Sequence, residues 1–113
     1  MDTTIKPIKL TIIITDRSRS KKVTKTLNAH GYDYQFATTA KGTAPSDIQA
    51  YFCLNEPEKC IVFCPIAEDR VQELLEVIRN ELHFDEPNTG IAFTVPIGSL
   101  SSINILKYLN HEC

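Results

Sequence analysis

Hydrophobic positions follow a strand–helix–strand order twice along the chain. In the first half, residues 9–15 form an apolar run of strand length, residues 20–30 have helical spacing, and residues 33–39 read as a second strand. The same order returns in the second half, with a strand at 60–66, a helix at 68–82 and a strand at 90–97. This pattern predicts an α+β, ferredoxin-like βαββαβ fold, in which two helices cover one face of an antiparallel sheet.

The helices carry the clearest boundary signals. Gly31 follows the first helical segment at the place where a left-handed residue usually ends a helix. In the second helix, apolar residues recur every three or four positions, and Leu75 and Ile78 are predicted to be its main anchors. Between the two halves, residues 40–59 contain Pro45 and a short run with helical spacing, which predicts an extra short helix.

The predicted strands are apolar on both faces. Leu10, Ile12 and Ile14 alternate with Ile13, so one strand presents hydrophobic side chains in both directions. Two helices can cover only one face of a sheet, and an apolar face left open to water is unfavourable. A partner subunit is therefore expected on the second face, and Ile13 is predicted to lie there.

Composition sets outer limits on function. A chain of 113 residues predicts one domain spanning 1–113. The net charge of −2 gives no reason to expect a nucleic-acid or membrane-surface partner. No apolar run reaches the length of a membrane-spanning helix, and the first residues lack a signal-peptide core, so a cytoplasmic location is expected.

The sequence contains no recognisable catalytic or metal-binding set. Its three histidines, His30, His83 and His111, lie at the ends of predicted elements without a nucleophile nearby. Neither a CxxC pair nor zinc-finger spacing occurs. We therefore expect neither an enzyme nor a metal site.

The four cysteines are interpreted separately. Cys60 and Cys64 lie on one face of a strand, about 13 Å apart at ~3.3 Å per residue, which is too far for a disulfide. They are expected to be small core residues. The sequence leaves open the roles of Cys53, in the linker between the halves, and of Cys113, at the last position.

The segment from Arg17 to Lys22 carries four cations. One interpretation is an anion site at the start of the first helix. The other, which we favour on sequence alone, is a solvated helix start.

Three segments together resemble the PII nitrogen-regulatory family over residues 8–98. The first is KLTIIIT followed by a helix and Gly31; the second is FCPIAEDRV at 63–71; the third is NTGIAFTVPI at 88–97, with Gly90, Phe93 and Pro96 in matching places. The resemblance implies a homotrimeric signalling protein with a small ligand, often an adenine nucleotide, bound in the clefts between subunits. The residues carried over as ligand-binding are Lys41, Gly42, Thr43, Asn88, Thr89 and Gly90.

The sequence also departs from the family pattern. The basic residue that the family has after its loop glycine is Ile91 here, and the long partner-binding loop is replaced by a short segment. Because a triphosphate needs cations, ATP is not expected as the ligand. Two alternatives to a ligand sensor stay open, a ligand-free interaction or structural oligomer and a metal-tolerance-type trimer; the protein target of such a regulator is unknown.

Overall fold

The computed structural model describes residues 7–41, 58–86 and 89–99. Six elements follow in order: β1 (Ile8–Asp16), α1 (Ser20–Ala29), β2 (Phe36–Lys41), β3 (Glu58–Ala67), α2 (Val71–Glu81) and β4 (Gly90–Pro96). All strand pairs are antiparallel, and the sheet order is β2-β3-β1-β4. The predicted α+β fold is confirmed, while the extra short helix and Cys53 fall outside the described residues.

Both helices begin with a short 3-10 turn, Arg17–Arg19 before α1 and Glu68–Arg70 before α2. Helix α1 ends at Ala29, and Gly31, two residues later, is the predicted left-handed residue, with a φ of 83°. The amide of Tyr32 donates to the carbonyl of Leu27, and the amide of Gly31 donates to that of Asn28. These two bonds satisfy carbonyls that would otherwise be left free at the helix end.

Strand β2 begins three residues later than predicted. Residue Gln35 donates its side-chain amide to the carbonyl of Tyr32 and to Oδ1 of Asn28. The chain is therefore still held against the end of α1 at Gln35, and pairing with β3 starts only where Phe36 meets Phe63.

The core lies between the sheet and the two helices. Its buried residues come from β1, α1, β3 and α2 and from the turns that follow the two helices; they are Ile13, Val23, Leu27, Tyr32, Cys60, Val62, Cys64, Ile66, Leu74, Ile78 and Leu82. The expectation that Cys60 and Cys64 are core residues is confirmed, and both are free thiols. Tyr32 is buried beneath Arg70, whose guanidinium carbon lies 4.7 Å from the ring centroid.

Two sequence expectations about individual residues are wrong. Ile13 is fully buried on the helix side of the sheet, because it shares a face with Val62 and Ala92, which also contact the core. In α2, Leu74 is fully buried whereas Leu75 is only partly buried. Leu75 faces the gap between α2 and β4, so Leu74 replaces it as an anchor of the helix, whereas the other predicted anchor, Ile78, is buried as expected.

The face of the sheet away from the helices, which we call the outer face, is apolar. Across its centre, Phe36, Phe63, Ile12 and Phe93 lie side by side on β2, β3, β1 and β4. Phe36 is 59% exposed and Phe93 is 40% exposed, although both belong to regular strands. Residues above and below this row are also hydrophobic: Leu10, Ile14, Ile61, Ile91 and Val95.

A buried ion pair lies at one end of the β1–β3 ladder. Nζ of Lys59 donates to Oδ1 of Asp16 at 2.8 Å, and the two side chains are 5% and 8% exposed. The two residues are direct partners in that ladder. Each charge is thus neutralised by the other, as burial requires.

Candidate functional site

The structure describes three of the six residues predicted to bind a ligand. They are Lys41, Thr89 and Gly90; Gly42, Thr43 and Asn88 lie outside the described ranges. Lys41 is the last residue of β2 and is exposed, whereas Gly90 is the first residue of β4.

These residues lie at the same end of the sheet but on opposite edges. Lys41 pairs with Glu58 at the start of β3, and Gly90 pairs with Thr15 near the end of β1. Strands β2 and β4 are the two outermost strands, three strand spacings apart, which is about 14 Å. Within one chain, Lys41 and Gly90 are therefore well separated.

Gly90 has a clear structural reason to be glycine. A Cβ atom added there would lie 2.7 Å from the backbone oxygen of Ile14 and 2.7 Å from the ring of Phe84. The main chain of β4 therefore starts in direct contact with β1 and with the turn after α2. Any larger residue has to push a backbone atom or a packed ring aside.

Thr89 is also held by internal contacts. It is buried; its hydroxyl donates to the carbonyl of Glu86, and its carbonyl accepts a 2.6 Å hydrogen bond from the hydroxyl of Thr15. These two bonds fix the entry to β4 against β1. The loop glycine and its neighbour are thus positioned rigidly at this end of the sheet.

A groove lies between α2 and β4, beside Gly90. It encloses about 430 Å³, and its walls are both apolar and charged: Gln72, Leu75, Glu76, Ile78, Arg79, Phe84, Asp85, Gly90, Ile91 and Ala92. Two carboxylates and one guanidinium line it, so its charge does not favour an anion. No sequence pattern indicated this groove, because it depends on how α2 crosses the edge strand.

A second groove, which we call the α1–β2 groove, lies between the start of α1 and the other edge strand. It encloses about 310 Å³ and is lined by Arg17, Ser20, Lys21, Thr24, Ala37, Thr38, Thr39 and Cys60. The sequence singled out Arg17 and Lys21 but not the wall formed by β2. Burial raises the pKa of Cys60, with a hydrogen bond from Ser20 partly opposing the shift, so this thiol stays protonated at neutral pH.

Lys41 points toward the helix side of the sheet, like Thr39 two residues earlier. Its ladder partner Glu58 accepts a 2.9 Å hydrogen bond from Nη1 of Arg17. Lys41 therefore lies on the same side of the sheet as the ion pair of Arg17 and Glu58, although it does not line the α1–β2 groove.

Among the described residues, no group of three or more histidine, cysteine or acidic side chains could hold a metal ion. His30 and His83 each contact a glutamate near a helix end, Glu81 and Glu86 respectively. Within the described ranges, no helix is long and apolar enough to cross a membrane.

Similar proteins were found among solved structures rather than among sequences. No protein-family profile matches the chain, and no characterised protein matches its sequence. Among solved structures, the chain is similar to CPII bound to ADP, AMP and acetate, from Thiomonas intermedia K12, with 18% identity and a TM-score of 0.60. The match covers 83% of this chain and 91% of CPII.

A protein described as a putative PII-like signaling protein from Thermus thermophilus is similar to the same degree. Its identity is also 18%, with a TM-score of 0.59 over 80% of this chain and 86% of that protein. At this identity the likeness concerns the fold. The resemblance seen in the sequence is confirmed at that level, and the chain has the fold of the PII-like signalling proteins.

Proposed function

We propose that this chain is a PII-like regulatory protein that assembles as a homotrimer and senses a small ligand in the clefts between its subunits. The observation that carries the proposal is the apolar outer face. Phe36 and Phe93 are exposed on the two edge strands, and a hydrophobic row joins them across the sheet. Exposed apolar patches of this kind mark protein interfaces, and an assembly of identical subunits would cover them.

The ligand cleft is proposed to join two subunits. Lys41, with Gly42 and Thr43, would come from one subunit, and Gly90, with Asn88 and Thr89, would come from its neighbour. The positions of Lys41 and Gly90 support this arrangement, since they lie at one end of the sheet on opposite edges. A cleft between neighbours would bring together two edges that are about 14 Å apart in one chain.

An adenine nucleotide is the first candidate ligand. CPII, which has the same fold, was solved with ADP and AMP bound. Charge favours the less charged members of this class, because Lys41 is the only cation among the six proposed residues. Asp85 and Glu86 are exposed just before the loop glycine, so a triphosphate there would face acidic neighbours. We therefore expect ATP to bind weakly or not at all.

Two other functions are kept as alternatives. A ligand-free interaction oligomer would use the same outer face for assembly and show no saturable ligand binding. A metal-tolerance-type trimer would require a cluster of metal ligands, and the described residues contribute none. In each case the proposed role is regulation or interaction rather than catalysis.

The test combines assembly with titration. Light scattering coupled to size exclusion should give the mass of three chains, and calorimetry should then be run with AMP, ADP, ATP and cyclic AMP. Lys41→Ala should weaken any anionic ligand, and Lys25→Ala, which removes another exposed lysine, from α1, serves as the control. A trimer that binds none of these nucleotides would favour the interaction-only alternative, and a monomer would overturn the proposed assembly.

A further inference from the structure

The helix layer is strongly polarised in charge. Residues 17–29, which include α1, carry five cations and no acid, whereas residues 68–86, which include α2, carry seven acids and two arginines. The whole chain nevertheless has a net charge of −2. The positive charge is therefore concentrated on one side of the molecule, where it raises the local concentration of anions.

The α1–β2 groove opens within this positive region. Arg17, in the 3-10 turn before α1, and Lys21, in the first turn of α1, line one wall, and Thr39 lines the β2 wall. Ser20 and Thr24 add two more hydroxyls on the helix side. One acid is paired with a cation of this groove: Glu58 accepts a hydrogen bond from Arg17 at 2.9 Å.

That pairing leaves Arg17 available to an external anion. The side chains of Arg17 and Glu58 are 59% and 60% exposed, and ion pairs this exposed are weak. An anion seated between Arg17 and Lys21 would be held by two cations at once. Cys60 also lines the groove, and its buried thiol is protonated, so it brings no negative charge to compete.

We propose that the α1–β2 groove is a binding site for the phosphate group of a small molecule, separate from the cleft between subunits. A phosphate group carries close to two negative charges and several strong acceptor oxygens. It therefore suits a guanidinium, an ammonium and several hydroxyls better than a carboxylate does. The volume of about 310 Å³ exceeds the needs of a phosphate alone and leaves room for an organic substituent.

The experiment uses the full chain and two probes, inorganic phosphate and ribose 5-phosphate. Each is titrated at constant ionic strength while the amide resonances of the protein are followed. Saturable shifts are expected at Ser20, Thr24 and Thr39, and stronger binding of ribose 5-phosphate would identify a phosphate ester as the ligand. If inorganic phosphate binds equally well, the site takes the free ion, and the organic substituent in the proposal is overturned.

Two lysine variants decide whether the groove is responsible. Lys21→Met removes a groove cation and should weaken phosphate binding roughly tenfold, as expected for one charge-assisted hydrogen bond. Lys22→Met changes the net charge equally but removes a lysine that does not line the groove, so its effect should stay within about twofold. Both lysines are exposed, and unchanged melting temperatures would show that both variants are folded.

Equal weakening in the two variants would mean diffuse attraction to α1 and would overturn the site. Absence of saturable shifts would do the same. Shifts confined to Thr89 and Gly90, at the opposite edge of the sheet, would assign the phosphate to the cleft between subunits instead. Because neither Lys21 nor Lys22 belongs to that cleft, failure here leaves the proposed nucleotide site untouched.

Discussion

Two neighbouring isoleucines on β1 give the sharpest test of how the sheet is used. Ile12 lies on the outer face and is partly exposed, whereas Ile13 is fully buried among the core residues. Replacing each in turn by glutamate introduces the same charge at adjacent positions. The two variants should nevertheless fail in different ways, because the side chains point to opposite faces.

For Ile13→Glu, the new carboxylate would sit among apolar core side chains. An uncompensated buried charge costs several kcal/mol, which is comparable with the whole stability of a small domain at about 5–15 kcal/mol. The variant should therefore be largely unfolded.

For Ile12→Glu, the carboxylate can reach water in a single chain, so the domain should fold. In a trimer, three isoleucines would be withdrawn from the interface together. Fully burying one exposed isoleucine contributes about 1.5–3 kcal/mol; since Ile12 is already partly buried in one chain, the assembly loses less than the roughly 5–9 kcal/mol of three full burials. The expected product is a folded monomer.

Circular dichroism and light scattering should be measured together on both variants, with Ile12→Leu as the control that keeps the volume and polarity. A folded Ile13→Glu variant that has merely lost its partners would reverse the assignment of the two faces. An Ile12→Glu variant of unchanged mass would show that the outer face is not the interface.

Three further predictions concern the domain itself. Leu74→Ala should cost about 2–5 kcal/mol in denaturant titration, and Leu75→Ala clearly less, because Leu74 is fully buried and Leu75 is not; equal losses would contradict the placement of Leu74 rather than Leu75 in the core. Gly90→Ala should lower the melting temperature even without ligand, since its Cβ would meet the oxygen of Ile14 at 2.7 Å, and an unchanged melting curve would argue against that contact. Burial, reinforced by Glu73, raises the pKa of Tyr32 to about 12 from an ordinary value near 10. The neutral phenol of Tyr32 therefore stabilises the fold fully below pH ~10, and this contribution is lost as the pH rises toward 12. The free energy of unfolding of Tyr32→Phe should fall less over that interval.

Most of the fold could be predicted because its signals are local. The hydrophobic spacing determines α2, the glycine marks the end of α1, and the two strand–helix–strand repeats determine the order of the six elements. What could not be predicted was which face of the sheet each residue of β1 occupies. Ile12, Ile13 and Ile14 are equally hydrophobic, so alternation alone does not tell which of them faces the helices.

The candidate sites also combine features that the sequence shows with features that depend on packing. Gly90 was singled out for its place in a loop, but its contact with Ile14 depends on how β1 and β4 pair. Arg17 and Lys21 were visible as a cluster of charges, whereas Thr39 comes from a distant strand. A groove between two elements forms only when they pack together, and no local sequence pattern predicts how they pack.

The buried pair of Asp16 and Lys59 has a consequence for how the chain finds its register. A slip of one residue between β1 and β3 would turn hydrophobic side chains to the wrong faces, so it is already excluded. A slip of two residues keeps every face correct, and Ile12 or Ile14 could pair with Ile61 or Phe63 almost equally well. Such a slip would separate the two charges by ~7 Å along the strands and break their buried ion pair. Of the alignments of β1 with β3 that keep every side chain on its face, only the observed one forms this ion pair.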